Sequence, residues 1–190
     1  IDGVRCVSDL RSLPEAVDLL VAATPADSVL GLVEQAMPVN GPPPCRSIVL
    51  IPGGLGEKEG TQGIQKTLQK VIHSSRARNP ETPVVLGGNC LGVRSRPGRY
   101  DTFFVPPEKL DPRRGVPAKR SALISQSGAF LITRMSNLQF LDPTFAISVG
   151  NQVDLTVSDM LSAVAEREDI DCIGVYVEGF CDLDGLAFLR

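Results

Sequence analysis

VDLLVAATPADSVLGLVEQAM, residues 17–37, decides the fold. Its first seven residues have the length of a buried strand, and leucine and valine on both faces suit a parallel sheet covered from both sides. Val29, Leu30, Val33, Ala36 and Met37 then recur at helical spacing, and Asp27 stands where a negative charge favours a helix start. One strand and one helix are complete within 21 residues, the unit from which layered α/β domains are assembled.

Outward from this unit the cycle repeats. Residues 47–51 read as a strand, about 60–78 as a helix, and 83–86 as a strand. Between Gly92 and Lys119 the pattern stops. Pro97, Pro106, Pro107, Pro112 and Pro117 arrive together with Arg94, Arg96, Arg99, Arg113 and Arg114, which predicts connecting chain over a surface. Alternation resumes with a strand at 121–125, a helix from 128 to about 138, a strand at 145–149, a helix at 157–166 and a strand at 171–177. Thr156 and Asp159 form a capping-box pattern at the start of that last helix. The expectation is an α/β chain of two parallel-sheet three-layer units, spanning residues 1–92 and 120–190 and joined by a Pro/Arg-rich linker at 93–119. Because the chain opens at Ile1 and stops at Arg190 after an apparent helix start, both units are expected to be incomplete, and their uncovered sheet edges predict self-association.

Composition narrows the function classes. A net charge of −3 and an isoelectric point near 5.2 lack the basic footprint of a nucleic-acid binder. The apolar runs fall far short of the roughly 20 residues that span a bilayer, and no signal peptide is visible. The five cysteines, Cys6, Cys45, Cys90, Cys172 and Cys181, include no C-x-x-C pair, which fits a reduced, cytoplasmic setting and no metal site.

Ligands of open α/β sheets bind beyond the carboxyl ends of the strands. Six such ends are legible: Thr24-Pro25-Ala26, Pro52-Gly53-Gly54-Leu55-Gly56, Gly87-Gly88-Asn89-Cys90, Ser125-Gln126-Ser127-Gly128, Gly150-Asn151-Gln152 and Glu178-Gly179. At the fourth, a strand runs straight into a helix, so free N–H groups at Ser127, Gly128 and Ala129 would offer an anion site with the helix dipole behind them. The spacing fits a simple serine N-cap equally well. Gly54-Leu55-Gly56-Glu57-Lys58-Glu59-Gly60 lacks the six-residue dinucleotide fingerprint, and its two glutamates crowd the place of a pyrophosphate. His73 falls inside a helical segment with no Gly-x-Ser-x-Gly elsewhere, which argues against a serine hydrolase. Cys90 reads as a buried or site-lining thiol rather than a nucleophile. Glu178, at a strand end, is placed to orient an imidazole, to accept a hydrogen bond from a sugar, or to cap a following helix.

Taken in order, Gly87-Gly88-Asn89-Cys90-Leu91-Gly92, Ala122-Leu123-Ile124-Ser125-Gln126-Ser127-Gly128-Ala129, Ser148-Val149-Gly150-Asn151-Gln152-Val153-Asp154 and Tyr176-Val177-Glu178-Gly179 resemble the NDP-forming acyl-CoA synthetases: the ADP-forming acetyl-CoA synthetases and the alpha subunit of succinyl-CoA synthetase. The resemblance implies the end of a Rossmann-like CoA-binding domain followed by the start of a flavodoxin-like succinyl-CoA-ligase domain. It implies an acid-CoA ligase reaction through acyl phosphate and phosphohistidine, with ATP or ADP and Mg held by an ATP-grasp domain or beta subunit outside this chain, in an oligomer.

By position, Thr24, Pro25, Ala26, Gly53, Gly54 and Leu55 would line CoA. Asn89 and Cys90 would lie by the thiol end and the acyl group, Ser125, Ser127, Gly128 and Ala129 would receive the phosphoryl group, and Glu178 would hold the phosphohistidine. Three features depart from the family: its glycine-rich first turn and its Gly-His-x-Gly segment are missing, and Gly88 stands where a proline is usual. The 190 residues are therefore expected not to complete the reaction alone. A CoA- or nucleotide-binding regulatory module that lost the relay histidine is the competing expectation.

Overall fold

A computed structural model describes residues 2–57, 59–110, 117–138, 140–182 and 184, with the side chains of Gln62 and Pro107 left aside. Strand β1 (Val17–Ala22), helix α1 (Ala26–Ala36), β2 (Cys45–Leu50), α2 (Gln62–Arg78) and β3 (Val84–Gly87) follow the expected cycle within a residue or two. The three strands form a parallel sheet in the order β1-β2-β3, with Leu20 opposite Ile48 and Ile48 opposite Val85.

Helices α1 and α2 cover one face of this sheet. Val29, Val33 and Ala36 on α1, and Leu68 and Ile72 on α2, are fully inaccessible and pack with Ala22, Ile48, Leu50 and Val85. Burial of each such valine is worth roughly 1.5 to 3 kcal/mol, which explains how α1 holds without a side-chain hydrogen bond at its N-cap. Arg76 and Arg78 in the last turn of α2 complement the negative end of its dipole.

The opposite face does not carry helices of its own unit. Val49 and Leu86 instead share a core with Ala122, Ile124, Ile147, Val149, Val157, Leu161 and Val164 from the second half of the chain. That half comprises β4 (Gly92–Ser95), β5 (Tyr100–Asp101), β6 (Lys119–Ser125), α3 (Gly128–Asn137), β7 (Pro143–Ser148), α4 (Val157–Ala165) and β8 (Cys172–Tyr176). Its sheet order is β5-β4-β7-β6-β8. Helix α4 packs on one face of it with Ala122 and Ile124, and α3 on the other with Leu91 and Ala146. The capping box expected at α4 is present, with Asp159 accepting from Thr156 N at 2.8 Å and Thr156 Oγ1 accepting from Asp159 N at 3.2 Å.

Two expectations change. Residues 93–119 are not only a linker, because β4 and β5 join the second sheet, and the sheet is consequently mixed: β4 pairs antiparallel with both β5 and β7, whereas β6 is parallel to β7 and β8. Two of the arginines that suggested a solvated connection are paired. Arg94, with 8% of its side chain exposed, donates from Nε to Asp101 at 2.6 Å, and Arg96 pairs with Asp142. Such neutralisation is what allows a strand this polar to lie inside a sheet. Pro112, Arg113 and Arg114 lie outside the described residues.

The two halves are also interleaved. After β7 the chain runs antiparallel along β3, donating from Asn151 N to Gly88 O (2.8 Å), Val153 N to Gly87 O (2.8 Å) and Leu155 N to Val85 O (3.0 Å). These bonds satisfy the free edge of the first sheet. Among the described residues no helix is long and apolar enough to cross a membrane.

Candidate active site

The carboxyl ends of β2, β3, β6, β7 and β8 converge on a cavity of about 330 Å3. Asn89, Cys90 and Leu91 line it after β3, Gln126, Ser127, Gly128 and Ala129 after β6, Gly150 and Asn151 after β7, and Glu178 after β8.

At the start of α3 the serine turn forms the N-cap, and the backbone donors that the anion reading calls for are present beside it. Ser127 is the N-cap, its Oγ accepting from Phe130 N at 3.2 Å. Its own N–H and those of Gly128 and Ala129 have no partner among the described residues, and they belong to the residues lining the cavity. Three unpaired donors at the positive end of a helix dipole are the arrangement with which a helix N-terminus can accept an anion. Ser125 is not part of it: the residue is completely buried, and its hydroxyl donates to Ser127 O at 2.6 Å. The expected role of the Ser125 hydroxyl as an anion donor thus gives way to a structural one, because it turns inward to stabilise the turn.

Asn89 adopts a positive φ of 51°, a conformation that asparagine tolerates better than most residues, and it is anchored by donation from its N–H to Pro52 O at 2.8 Å. Cys90 lies beside it but faces the sheet. Its thiol donates to Leu50 O at 3.2 Å, and burial pushes its pKa up to about 12. A thiol held protonated in this way offers no thiolate.

Glu178 is exposed, and its carboxylate has no partner among the described residues. Its main chain is held: Gln126 Oε1 accepts from Glu178 N at 2.8 Å and from Gly179 N at 3.0 Å. The Phe130 and Tyr176 rings stack with centroids 4.0 Å apart, tying α3 to the end of β8. His73 is exposed on α2 and is not among the cavity residues.

The residues expected to line CoA form a second, adjacent cluster. Ala26 and Gly54 approach closely, since a Cβ placed on Gly54 would lie 3.5 Å from that of Ala26. A Cβ on Gly53 would stand 3.0 Å from Asn89 Oδ1, so the bare backbone there connects this turn to the cavity. Thr24 Oγ1 is buried without a partner, an orphaned hydroxyl suited to a ligand's polar group. Leu55 is completely buried, which leaves only its main chain for contact.

One participant was not legible as such. Glu57 folds back so that its carboxylate accepts from Gly54 N, from Leu55 N at 3.0 Å and from Asn151 Nδ2 at 2.9 Å. Burial alone would raise its pKa, but these donors outweigh it and hold the carboxyl below its ordinary value. The two glutamates that argued against a pyrophosphate were the available signal. Among the described residues no group of three or more His, Cys, Asp or Glu side chains is arranged to hold a metal ion.

The strand ends of this α/β chain thus gather a helix N-terminus, two asparagines and an exposed carboxylate at the rim where ligands of open α/β sheets bind. Residues 118–190 match the family described as succinyl-CoA ligase like flavodoxin domain. The chain is 27% identical over 186 residues to the ADP-forming acetate-CoA ligase II subunit alpha of Pyrococcus furiosus, covering 96% of this chain and 36% of that protein. It is 30% identical over 180 residues to the ligase I subunit alpha of the same organism, covering 94% and 36%. Among solved structures, the dinucleotide forming acetyl-coenzyme A synthetase 1 of Ca. Korarchaeum cryptofilum, in complex with phosphate and ADP, superposes with a TM-score of 0.80 at 27% identity. That match covers all of this chain and 37% of the other. The chain therefore spans about a third of the length of these relatives. Together the matches support the NDP-forming acyl-CoA synthetase family, the one the motifs resemble.

Proposed function

We propose that this chain is the CoA-binding and phosphoryl-receiving portion of an acid-CoA ligase that forms a nucleoside diphosphate. The observation that carries the reading is the single cavity in which the unpaired N–H groups of Ser127, Gly128 and Ala129 meet Asn89 and Glu178.

In this reading CoA lies along Thr24, Pro25, Ala26 and the backbone of Gly53 and Gly54, with its thiol end at Asn89. Phosphate held at the α3 N-terminus attacks the thioester carbonyl. The carbon–sulfur bond breaks, CoA leaves as the thiol, and acyl phosphate forms. The N–H groups stabilise the negative oxygens of that species through charge-assisted hydrogen bonds, and the Asn89 amide is available to the acyl oxygen. Because the Cys90 thiol stays protonated with a pKa of about 12, no acyl-cysteine enters the sequence.

Glu178 accepts a hydrogen bond from an imidazole delivered by a segment outside this chain. That imidazole attacks phosphorus and releases the carboxylic acid, and a nucleoside diphosphate on an ATP-grasp module then takes the phosphoryl group. His73, remote on α2, has no part in this. A carboxylate facing the imidazole favours its positively charged phosphorylated form.

Phosphate binding tests the reading, measured by titration calorimetry with inorganic phosphate. Ser127→Asp keeps the helix cap and adds a fixed negative charge at the anion site, so binding is expected to weaken at least tenfold, about 1.4 kcal/mol. Undiminished phosphate binding in that variant overturns the assignment. Labelled nucleotide is expected to leave the chain unlabelled, since the relay histidine lies elsewhere. CoA binding without any turnover in a protein that also carries the histidine and ATP-grasp segments would favour a regulatory module instead.

A further inference from the structure

Two glutamines on neighbouring strand-end turns hold the chain at Glu178 from opposite sides. Gln126, after β6, accepts with a single Oε1 from the N–H groups of both Glu178 and Gly179, at 2.8 and 3.0 Å. Its own N–H donates to Tyr176 O at 2.9 Å, which closes the turn against the end of β8. Gln152, after β7, is 3% exposed and has a positive φ of 52°. Its Nε2 donates to Gly179 O at 3.2 Å, and its Oε1 accepts from Val157 N at 3.0 Å at the start of α4.

A buried amide with donor and acceptor both engaged is fixed in orientation. Gln152 thereby references Gly179 to the α4 N-terminus, while Gln126 references Glu178 to the α3 turn that carries the anion site. The Glu178 carboxylate is left without a partner among the described residues, at the wall of the cavity.

We propose that Gln126 and Gln152 are positioning residues that fix Glu178 for its reaction partner; this rests on the reading of Glu178 as the acceptor for the incoming imidazole. The two amides have unlike duties. Gln126 supplies only an acceptor, so a carboxylate of the same shape can replace it in the clamp. Gln152 supplies a donor to a carbonyl, and a carboxylate there repels the carbonyl while still accepting from Val157 N.

The test is backbone amide hydrogen exchange on the 190-residue chain, followed by turnover in the full-length enzyme. Gln126→Leu is expected to speed exchange at Glu178 and Gly179 by about tenfold or more, whereas Gln126→Glu keeps the protection. Gln152→Glu is expected to leave Val157 protected while displacing the Gly179 resonance. A kcat loss of at least roughly tenfold with KM for CoA unchanged is expected in Gln126→Leu and Gln152→Glu, because misplacing a reacting group by a fraction of an ångström carries that cost.

Unchanged exchange in Gln126→Leu overturns the clamp. Faster exchange with undiminished kcat, in an enzyme that Glu178→Gln inactivates, overturns the positioning role and leaves the reading of Glu178 intact. Full turnover in Glu178→Gln removes that reading and the positioning role with it.

Discussion

The Asp154 carboxylate accepts from both terminal nitrogens of Arg76, at 2.6 and 2.7 Å, and also from Val85 N at 2.9 Å. One side chain from the second half of the molecule thus holds α2 and β3 of the first. Asp154 has only 4% of its side chain exposed, against 37% for Arg76.

Removing the carboxylate leaves a half-buried guanidinium and a strand N–H without an acceptor. Asp154→Ala is expected to destabilise the chain by about 3 kcal/mol, near the lower end for breaking a buried pair because Arg76 retains access to water. Arg76→Ala should cost more, since it leaves the nearly buried Asp154 carboxylate with no counter-charge and only the Val85 N–H. Urea unfolding of the two variants measures the order, and equal losses would contradict it.

Ser127→Ala separates the cap from the proposed anion site. Loss of the bond to Phe130 N should cost about 1 kcal/mol of stability. The three backbone donors remain, so phosphate affinity should fall far less than in Ser127→Asp. Thermal unfolding and phosphate titration on the same samples make the comparison.

Glu57 predicts a pH dependence. Its carboxyl lies below its ordinary value in the folded chain, so the ionised form favours folding. That contribution is present in full above the unfolded glutamate range of about 4.3 and is lost as pH falls through the depressed folded value. Glu57→Gln should therefore be less stable than the parent at neutral pH, and the gap should close on acidification. A gap independent of pH between 7 and the acid limb would exclude the ionised carboxylate as its source.

The thiols should sort by exposure. Cys6 and Cys172 are exposed and should react quickly with an aromatic disulfide reagent at neutral pH; Cys181 follows more slowly, because burial and Asp182 raise its pKa. Cys45 and Cys90, pushed up to about 11 and about 12, should react only on unfolding. Rapid labelling of Cys90 in the folded chain would reopen the question of a nucleophile.

Much of this was written in hydrophobic period. The run from Val17 to Ala22 and the Val29, Val33 and Ala36 stripe declared a strand and a helix because each buries its apolar side chains at its own repeat. Strand ends then located Ser127 and Glu178, since the parallel β6 and β8 send their turns to one rim, whereas Asn89, after β3 of the other sheet, joins them through the packing of the two sheets. Strand β4 was illegible. Its four residues include a buried Arg94, whose place inside a sheet depends on Asp101, a partner that periodicity does not reveal. The inward turn of the Ser125 hydroxyl and the folding back of Glu57 are choices between nearby hydrogen-bond partners, which spacing leaves open. Gln126 and Gln152 looked like ordinary turn residues for the same reason.

The antiparallel run of residues 151–155 along β3 has a consequence for synthesis. Val85, Gly87 and Gly88 present carbonyls whose N–H partners belong to Leu155, Val153 and Asn151. As the chain emerges from the ribosome, its first sheet must wait with one side open until residue 155 has appeared. Gly150 sits at the closing point, where a Cβ would lie 2.1 Å from Gly88 O. The nascent first half is thus an unfinished structure until well into the making of the second, and the last stitch that completes it passes through the loop that also builds the cavity.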